Sequence, residues 1–357
     1  MKLIRVVFLV VLFSSYGLIA ETEKKVMDLQ TCDYPALYNF GDSNSDTGGM
    51  AAAFFPMIAP CGDTYFHRPA GRGSDGRLII DFIAEHLGLP LLSPYLDSVG
   101  TNFHHGANFA TGGATIRRQN ESWFRLVTAS DRNRLPRPQD FSKALYTFDI
   151  GQNDLAAGFR TMSMKKLRAT IPDIINQFSI QIRDLYSKGA RTFWIHNTGP
   201  IGCLPVATIK VQNPKPGYLD EHGCIRGQNH RAREFNKKLK HSVHHLRAEL
   251  SEAAITYVDM YRGKYDLIRN AKEQGFEDPF KICCGFHGIG FDVWCGNKAT
   301  VKDIEVYAGS CAKPSAVISW DGVHYSEAAN SWIASQIVNG SLSDPPIPIT
   351  RACHRKN

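Results

Sequence analysis

The sequence lacks several features that mark whole classes of protein. After its first twenty residues it has no apolar run long enough to cross a bilayer, so we expect no membrane span in the mature chain. It has no dense tract of Lys and Arg, which argues against a nucleic-acid partner despite a formal net charge of +7. No repeat or linker interrupts it, which favours one domain over residues 21–357. Its nine cysteines include no C-x-x-C pair, which argues against a zinc site.

The first twenty residues differ from the rest of the chain. A short basic start with Lys2 and Arg5 precedes the apolar run VVFLVVLF, and small residues follow. This pattern predicts a secretory signal peptide over residues 1–20, and so a protein exported to the extracellular space, the cell wall or the vacuole. The sequons at Asn120 and Asn339 fit that route as glycosylation sites. A mildly basic exported protein would also associate with acidic cell-wall polysaccharide.

Export makes the cysteines candidates for disulfides. Four of them cluster in one loop-rich stretch and predict a stapled loop: Cys283, Cys284, Cys295 and Cys311. We also expect a disulfide between Cys203 and Cys224. Because nine is odd, at least one thiol is free or pairs outside the chain. Zinc is the competing interpretation of the cluster.

Apolar residues along the chain alternate between the period of a strand and that of a helix. Buried strands are predicted at ALYNF, ALYTFDI, RTFWIHN and AITYVDMY. Helices are predicted at LIIDFIAEHLG, over 167–185, over 232–250 and at HYSEAANSWIASQIV. The alternation favours an α/β fold with a parallel sheet covered on both faces. In such sheets the chemistry gathers at the carboxyl ends of the strands.

Four motifs place polar or glycine residues where that chemistry is expected. FGDSNSDTGG sets Ser43 directly after the first predicted strand, and IGQND sets Asn153 after another. GANFATGGA carries Gly113 in a glycine-rich turn. SWDGVHYSEAAN holds Asp321 and His324 three residues apart, directly before the last helix.

These residue types can together build a serine hydrolase. Ser43 would be the nucleophile, His324 its base, and Asp321 the group that orients the imidazole ring. The backbone N–H groups of Ser43 and Gly113 and the side-chain amide of Asn153 would form an oxyanion hole. Each motif alone is weak, because Asp-x-x-His is more often a helix cap followed by a surface histidine and Gly-x-Asn-Asp is usually a turn.

Taken together the motifs resemble the plant GDSL esterase/lipase family of the SGNH hydrolase superfamily. The blocks FGDSNSDTGG, NFATGGA, IGQND and WDGVHYSEAAN carry the resemblance, which covers nearly all of the mature chain. Their spelling is most similar to that of acetylesterase-like, early-nodulin-like and fucosidase-labelled members. The resemblance implies a three-layer α/β/α sandwich of flavodoxin-like architecture, no cofactor, and the roles given above for Ser43, Gly113, Asn153, Asp321 and His324.

Two further motifs imitate binding sites. Residues 71–76 spell the dinucleotide fingerprint G-x-G-x-x-G, but no strand leads into them, so we interpret them as a loop that packs beside the active site. His241, His244 and His245 share one face of a predicted helix and are interpreted as a solvated basic face rather than a metal site.

The sequence thus predicts a secreted serine esterase that cleaves a small-molecule or polysaccharide ester through an acyl-enzyme. The lack of an amphipathic lid segment favours short acyl chains. An acyltransferase with the same acyl-enzyme is the close alternative, and a non-catalytic carbohydrate-binding or defence protein is a second. A glycosidase would need two carboxylates, recruited from Asp42, Asp46 or Asp154.

Overall fold

A computed structural model of the chain describes residues 31–117 and 138–353. The predicted signal peptide, residues 1–20, and the sequon at Asn120 lie outside the described residues. All the elements given below lie between residues 34 and 353. In the two described ranges no helix is both long and apolar enough to span a membrane.

Six strands of the described chain form one sheet. They are β1 (Leu37–Gly41), β2 (Gly106–Asn108), β3 (Leu145–Asp149), β4 (Thr192–His196), β5 (Ala254–Val258) and β10 (Ser343–Asp344). Their order across the sheet is β10-β5-β4-β3-β1-β2. The first five strands pair in parallel, which confirms the predicted α/β fold, while the short β10 adds an antiparallel edge that the sequence did not predict.

The register of the sheet brings the carboxyl ends of its strands to one level. Gly41 at the end of β1 lies opposite Asp149 at the end of β3, and His196 at the end of β4 lies opposite Val258 of β5. The carboxyl ends of these strands are therefore level, and the loops that follow them meet at one edge.

Helices flank the sheet, as the alternation of the sequence predicts. They are α1 (Gly49–Ala53), α2 (Ile79–His86), α3 (Pro138–Phe141), α4 (Gln152–Thr161), α5 (Met164–Ser187), α6 (Pro205–Thr208), α7 (Arg226–Glu249), α8 (Met260–Arg269) and α9 (Glu327–Val338). The sequence analysis missed α8, because it extended the strand AITYVDMY to Tyr261, whereas the strand ends at Val258. Asp259 ends the strand and caps α8, since its side chain accepts the N–H of Arg262 at 3.1 Å.

The core follows the strand period of two. Alternate residues of the central strands, such as Tyr146 and Phe148 of β3, are buried in one cluster with the apolar faces of α5 and α7. Leu145 and Trp194, which point the other way, are fully buried but lie outside that cluster. Both faces of the sheet are therefore covered.

Two hairpins and a set of disulfides complete the described chain. The hairpins are β6 (Gly285–Gly288) with β7 (Phe291–Trp294) and β8 (Lys298–Val301) with β9 (Ile304–Tyr307). The disulfides are Cys203–Cys224, Cys283–Cys311 and Cys284–Cys295. They confirm the expected pairing of Cys203 and the stapled loop, and they leave that cluster no thiolate for zinc. Such a set of disulfides is typical of the secretory pathway.

The free thiol belongs to Cys61, which is buried, while Cys32 and Cys353 are disulfide-bonded. The sulfur of Cys61 lies 3.8 Å from that of Cys295. Burial raises the pKa of the Cys61 thiol to about 11, so it stays protonated and unreactive at neutral pH.

The disulfide-bonded loop supports the loop that carries Asp321. The N–H groups of Cys283 and Cys284 donate to the carbonyls of Ser319 and Trp320, at 3.1 and 2.6 Å. We expect the Cys283→Ser/Cys311→Ser variant to lose about 2–4 kcal/mol of unfolding free energy, because the cross-link no longer restricts the unfolded chain. Denaturant unfolding measures this loss.

The matched control for that variant is Cys61→Ala, which alters a buried cysteine without opening a cross-link. Its loss should be the smaller of the two. Equal losses in both variants would show that the disulfide stabilises only by side-chain packing.

Candidate active site

Ser43 lies in the tight loop over residues 42–48, between β1 and α1, which we call the serine loop. Asp42 donates its N–H to the carbonyl of Asp149 at 3.2 Å, and its carboxylate accepts the N–H of Asn44 at 3.0 Å. Over residues 41–49 only Ser43 and Asn44 are partly exposed, and the rest of the loop is buried. The fold therefore holds Ser43 at a partly exposed position of an otherwise buried loop.

Asp46 ties this serine loop to the glycine-rich turn. Its carboxylate accepts N–H groups from Gly48 at 2.8 Å, Gly49 at 2.5 Å, Met50 at 3.0 Å and, across the chain, Gly112 at 2.8 Å. Burial raises the pKa of Asp46, although these four donors act to lower it. The hydrogen bond from Gly112 to Asp46 places Gly113, the next residue of the glycine-rich turn, close to the serine loop.

Asp321 and His324 form a hydrogen-bonded pair at the start of the last helix. His324 Nδ1 lies 2.5 Å from one carboxylate oxygen of Asp321, and the other oxygen accepts the N–H groups of Val323 and His324 at 2.9 and 2.7 Å. This network assigns the proton to Nδ1 and leaves the lone pair on Nε2. His324 Nε2 is buried without a hydrogen-bond partner among the described residues, so Ser43 Oγ does not hydrogen-bond to it in this structure.

The charge of Asp321 controls the protonation of the ring. Burial acts to lower the pKa of His324. The adjacent Asp321 carboxylate acts more strongly in the opposite direction, and the Asp42 carboxylate reinforces Asp321, so the pKa of His324 is raised above its ordinary value. Burial acts to raise the pKa of Asp321, yet His324 and two backbone N–H groups hold it below its ordinary value. Asp42, the residue before Ser43, is thus one of the charges that act on the ring.

The loop over residues 71–77 packs beside this pair, where the sequence predicted a supporting loop rather than a nucleotide site. A Cβ built on Gly73 would lie 3.4 Å from His324 Nδ1. Ser74 donates to the carbonyl of Tyr325 at 3.0 Å. Arg72 pairs with Asp81 in two hydrogen bonds of 2.7 and 2.8 Å and donates to the Thr47 carbonyl at 3.2 Å. Residues 71–77 therefore contact both the segment that carries His324 and the loop that carries Ser43.

The two other predicted oxyanion donors meet at the glycine-rich turn. Asn153, near the start of α4, donates its side-chain amide to the carbonyl of Ala114 at 3.0 Å. The next residue, Asp154, accepts the N–H groups of Ile116 and Arg117 at 2.9 and 3.0 Å. Gly113 has φ of 78°, and a Cβ there would meet nothing within 4 Å, so its backbone borders open space. A carbonyl oxygen can therefore approach this turn.

A buried charge cluster lies beneath the serine loop, and the sequence reasoning missed it. Asp42 and Asp149 repel each other, and burial together with that repulsion raises the pKa of Asp42 to about 6. Burial acts to raise the pKa of Asp149 too, but His196 and Lys264 hold it below its ordinary value. His196 Nδ1 lies 3.7 Å from the Asp149 carboxylate, and Lys264, 3% exposed, lies 4.7 Å from the Tyr325 ring centre. Asp149 and His196 end their strands, a position that could have singled them out.

Comparisons with known proteins show the family of the chain. A family model described as GDSL-like Lipase/Acylhydrolase matches residues 37–337. The GDSL esterase/lipase At5g14450 of Arabidopsis thaliana is 56% identical over 354 residues, which cover 91% of each chain. An esterase of Hevea brasiliensis is 47% identical over 91% of this chain and 90% of that protein. Alpha-L-fucosidase 3 of Arabidopsis thaliana is 46% identical over 91% of this chain and 93% of that protein.

Proposed function

Because the chain belongs to the GDSL-like lipase/acylhydrolase family and is an ester hydrolase, we propose that it cleaves short-chain carboxylic esters through an acyl-enzyme on Ser43. One observation carries the proposal. Asp321 holds His324 through Nδ1 at 2.5 Å, and His324 Nε2 has no hydrogen-bond partner among the described residues. A lone pair in that position is what a serine nucleophile needs from its base.

The proposed reaction has two halves. Ser43 Oγ attacks the ester carbonyl carbon while His324 Nε2 takes its proton, and Asp321 stabilises the imidazolium that forms. The tetrahedral intermediate then expels the alcohol, which receives that proton, and leaves the acyl group on Ser43. Water then attacks the acyl carbon while His324 Nε2 takes its proton. The bond from the acyl carbon to Ser43 Oγ breaks, His324 returns the proton to Oγ, and the carboxylic acid leaves.

The negative charge on the carbonyl oxygen needs donors at the glycine-rich turn. We assign this task to the N–H groups of Ser43 and Gly113 and to the amide of Asn153, whose second amide hydrogen is free when the first bonds Ala114. The Asn153→Ala variant should therefore lose about 10²–10³-fold in kcat with little change in KM. Steady-state kinetics measure both constants. A raised KM with an unchanged kcat would mean that Asn153 binds the ground state only.

The preference for short acyl chains is tested with p-nitrophenyl esters of increasing chain length, alongside acetylated xylan and pectin. We expect kcat/KM to be highest for acetate or butyrate and to fall for longer chains. A maximum at long chains, or activation by a lipid interface, would contradict this preference.

An acyltransferase would use the same residues, so the acceptor decides between the two reactions. With the donor ester held constant and an alcohol acceptor increased, a hydrolase should release free acid as the main product. Mass spectrometry of acid against transferred ester measures the ratio. Dominance of transferred ester at low acceptor concentration would make the chain a transferase.

Glycoside hydrolysis is not proposed, although one relative carries a fucosidase name. The three carboxylates that the sequence offered for it are Asp42, Asp46 and Asp154, and each is buried with 1–3% exposure. Each also accepts hydrogen bonds from its own surroundings: Asp42 from Asn44, Asp46 from four N–H groups and Asp154 from two. None is free to flank a glycosidic bond.

A further inference from the structure

A groove of about 890 Å³ lies between the two longest helices, α5 and α7. The helices run parallel, because Arg168 pairs with Glu234 and Arg183 with Glu249 at the same sequence offset. The lining extends over residues 168–183 of α5 and 230–245 of α7. At 1.5 Å per residue each side is about 22 Å long, so the groove is elongated. None of the proposed catalytic residues lines it.

The groove is strongly positive. Five of its lining residues are Lys or Arg, namely Arg168, Arg183, Arg233, Lys237 and Lys238, and three more are histidines. Glu234 is the only carboxylate among the described residues that line it. On α7 as a whole, seven Lys and Arg stand against two Glu. Like charges that close on one helix are destabilising, so helix stability does not account for this composition.

Part of this charge is left without a counter-ion. Arg168 and Arg183 pair with Glu234 and Glu249, but Lys237 and Lys238 are exposed and have no ion-pair partner within the described ranges. Within the described ranges Arg233 has no ion-pair partner; its guanidinium lies 6.0 Å from the Tyr261 ring centre and donates to the Tyr261 hydroxyl at 3.4 Å. An anionic ligand would supply the missing charge.

The histidines do not turn the groove into a metal site. His241 and His245 contact each other through their Nε2 atoms at 2.9 Å. No group of three or more His, Cys, Asp or Glu side chains suited to a metal ion occurs in the described part of the chain. We keep the interpretation of this helix face as a basic surface, whose positive charge an anionic partner would balance.

We propose that the groove between α5 and α7 binds a linear polysaccharide of uronic-acid residues. A concave groove holds a single chain, whereas a lipid bilayer needs a flat or convex surface with apolar residues that insert. Arginine forks match carboxylates, and Arg183 already holds the Glu249 carboxylate in two hydrogen bonds of 2.8 and 2.9 Å. Asn176 is exposed in the lining and offers its side-chain amide to sugar hydroxyls, whereas Ser179 and Ser242 hydrogen-bond to each other at 2.6 Å. The disulfides favour an extracellular partner over a nucleic acid.

The site does not depend on the proposed ester chemistry, and it would hold the protein on an acidic matrix while the sheet edge works on esters. The test variant is Lys237→Glu/Lys238→Glu in the full chain. The matched control is Lys215→Glu/Lys272→Glu, which makes the same change of charge at exposed lysines outside the groove. A second variant, Lys237→Gln/Lys238→Gln, removes charge without adding repulsion.

Binding to polygalacturonate is measured in about 20 mM salt, where charges are weakly screened, with neutral dextran as the polymer control. We expect the test variant to bind about tenfold more weakly or worse, the Gln variant to lie between it and the wild type, and the control to stay close to the wild type. Hydrolysis of p-nitrophenyl acetate by the same samples should be unchanged, which keeps this result separate from that of the esterase proposal.

Equal weakening in the test and control variants would overturn the proposal, because binding would then follow net charge alone. Stronger binding to phosphatidylserine vesicles or to single-stranded DNA than to polygalacturonate, lost in the same variant, would also overturn it in favour of another anionic partner. If circular dichroism shows that the Glu variant is not folded, the proposal is judged by whether the Gln variant binds polygalacturonate more weakly than the wild type.

Discussion

The Ser43→Ala variant should lose about four to six orders of magnitude in kcat/KM for p-nitrophenyl acetate. The change removes the one oxygen that attacks the carbonyl, while the oxyanion donors and the base remain. What is left should be the residual rate that substrate binding and the oxyanion hole provide. Because Ser43 is partly exposed and the change removes a single oxygen, the unfolding free energy should change little.

Ser45→Ala is the matched control for this variant. It removes the same atom two residues along the same loop, from a hydroxyl that is buried and has no hydrogen-bond partner in the described chain. We expect it to retain most of the activity. If Ser43→Ala is folded and active, or if Ser45→Ala is equally inactive, Ser43 is not the nucleophile.

The His324→Ala variant should lose activity to a similar extent, because Ser43 then has no group to take its proton. Residues that act as one unit are not additive, so the Ser43→Ala/His324→Ala double variant should be no slower than either single variant. Free imidazole should restore part of the His324→Ala activity and none of the Ser43→Ala activity. Steady-state kinetics on purified, folded protein measure the two single variants, each with and without imidazole, and the double variant. Additive losses would mean that His324 is not the base that acts on Ser43.

The pH profile separates a base from a structural histidine. Only the neutral ring accepts a proton, so activity should fall as the pH drops below the pKa of His324. The Asp321 carboxylate raises that pKa, so Asp321→Asn should move the acidic limb of kcat/KM to lower pH while it lowers the plateau, since the neutral amide no longer stabilises the imidazolium. An acidic limb that stays in place would mean that another group controls it. The Asp42 carboxyl, with a pKa raised to about 6, is that competing group.

The sequence determined most of the fold because local patterns decide it. The strand at ALYNF and the helix stripes over 167–185 and 232–250 follow from residues whose spacing matches one period, and the structure confirms them as β1, α5 and α7. The family resemblance, which the comparisons confirm, follows from short contiguous motifs in the same way. The pairing of Asp321 with His324 could be predicted from the sequence because residues three positions apart in one turn lie close together.

Only the tertiary structure decided what residues distant in sequence do to one another. The choice between Cys284–Cys295 and the other pairings depends on which backbones approach, and spacing alone does not determine it. The hydrogen bond from Gly112 to Asp46 crosses 66 residues, and it is what brings the glycine-rich turn to the serine loop. The charges of Asp42, Asp149 and Lys264 act on one another only because parallel strands end at the same buried edge, where the low dielectric strengthens each interaction.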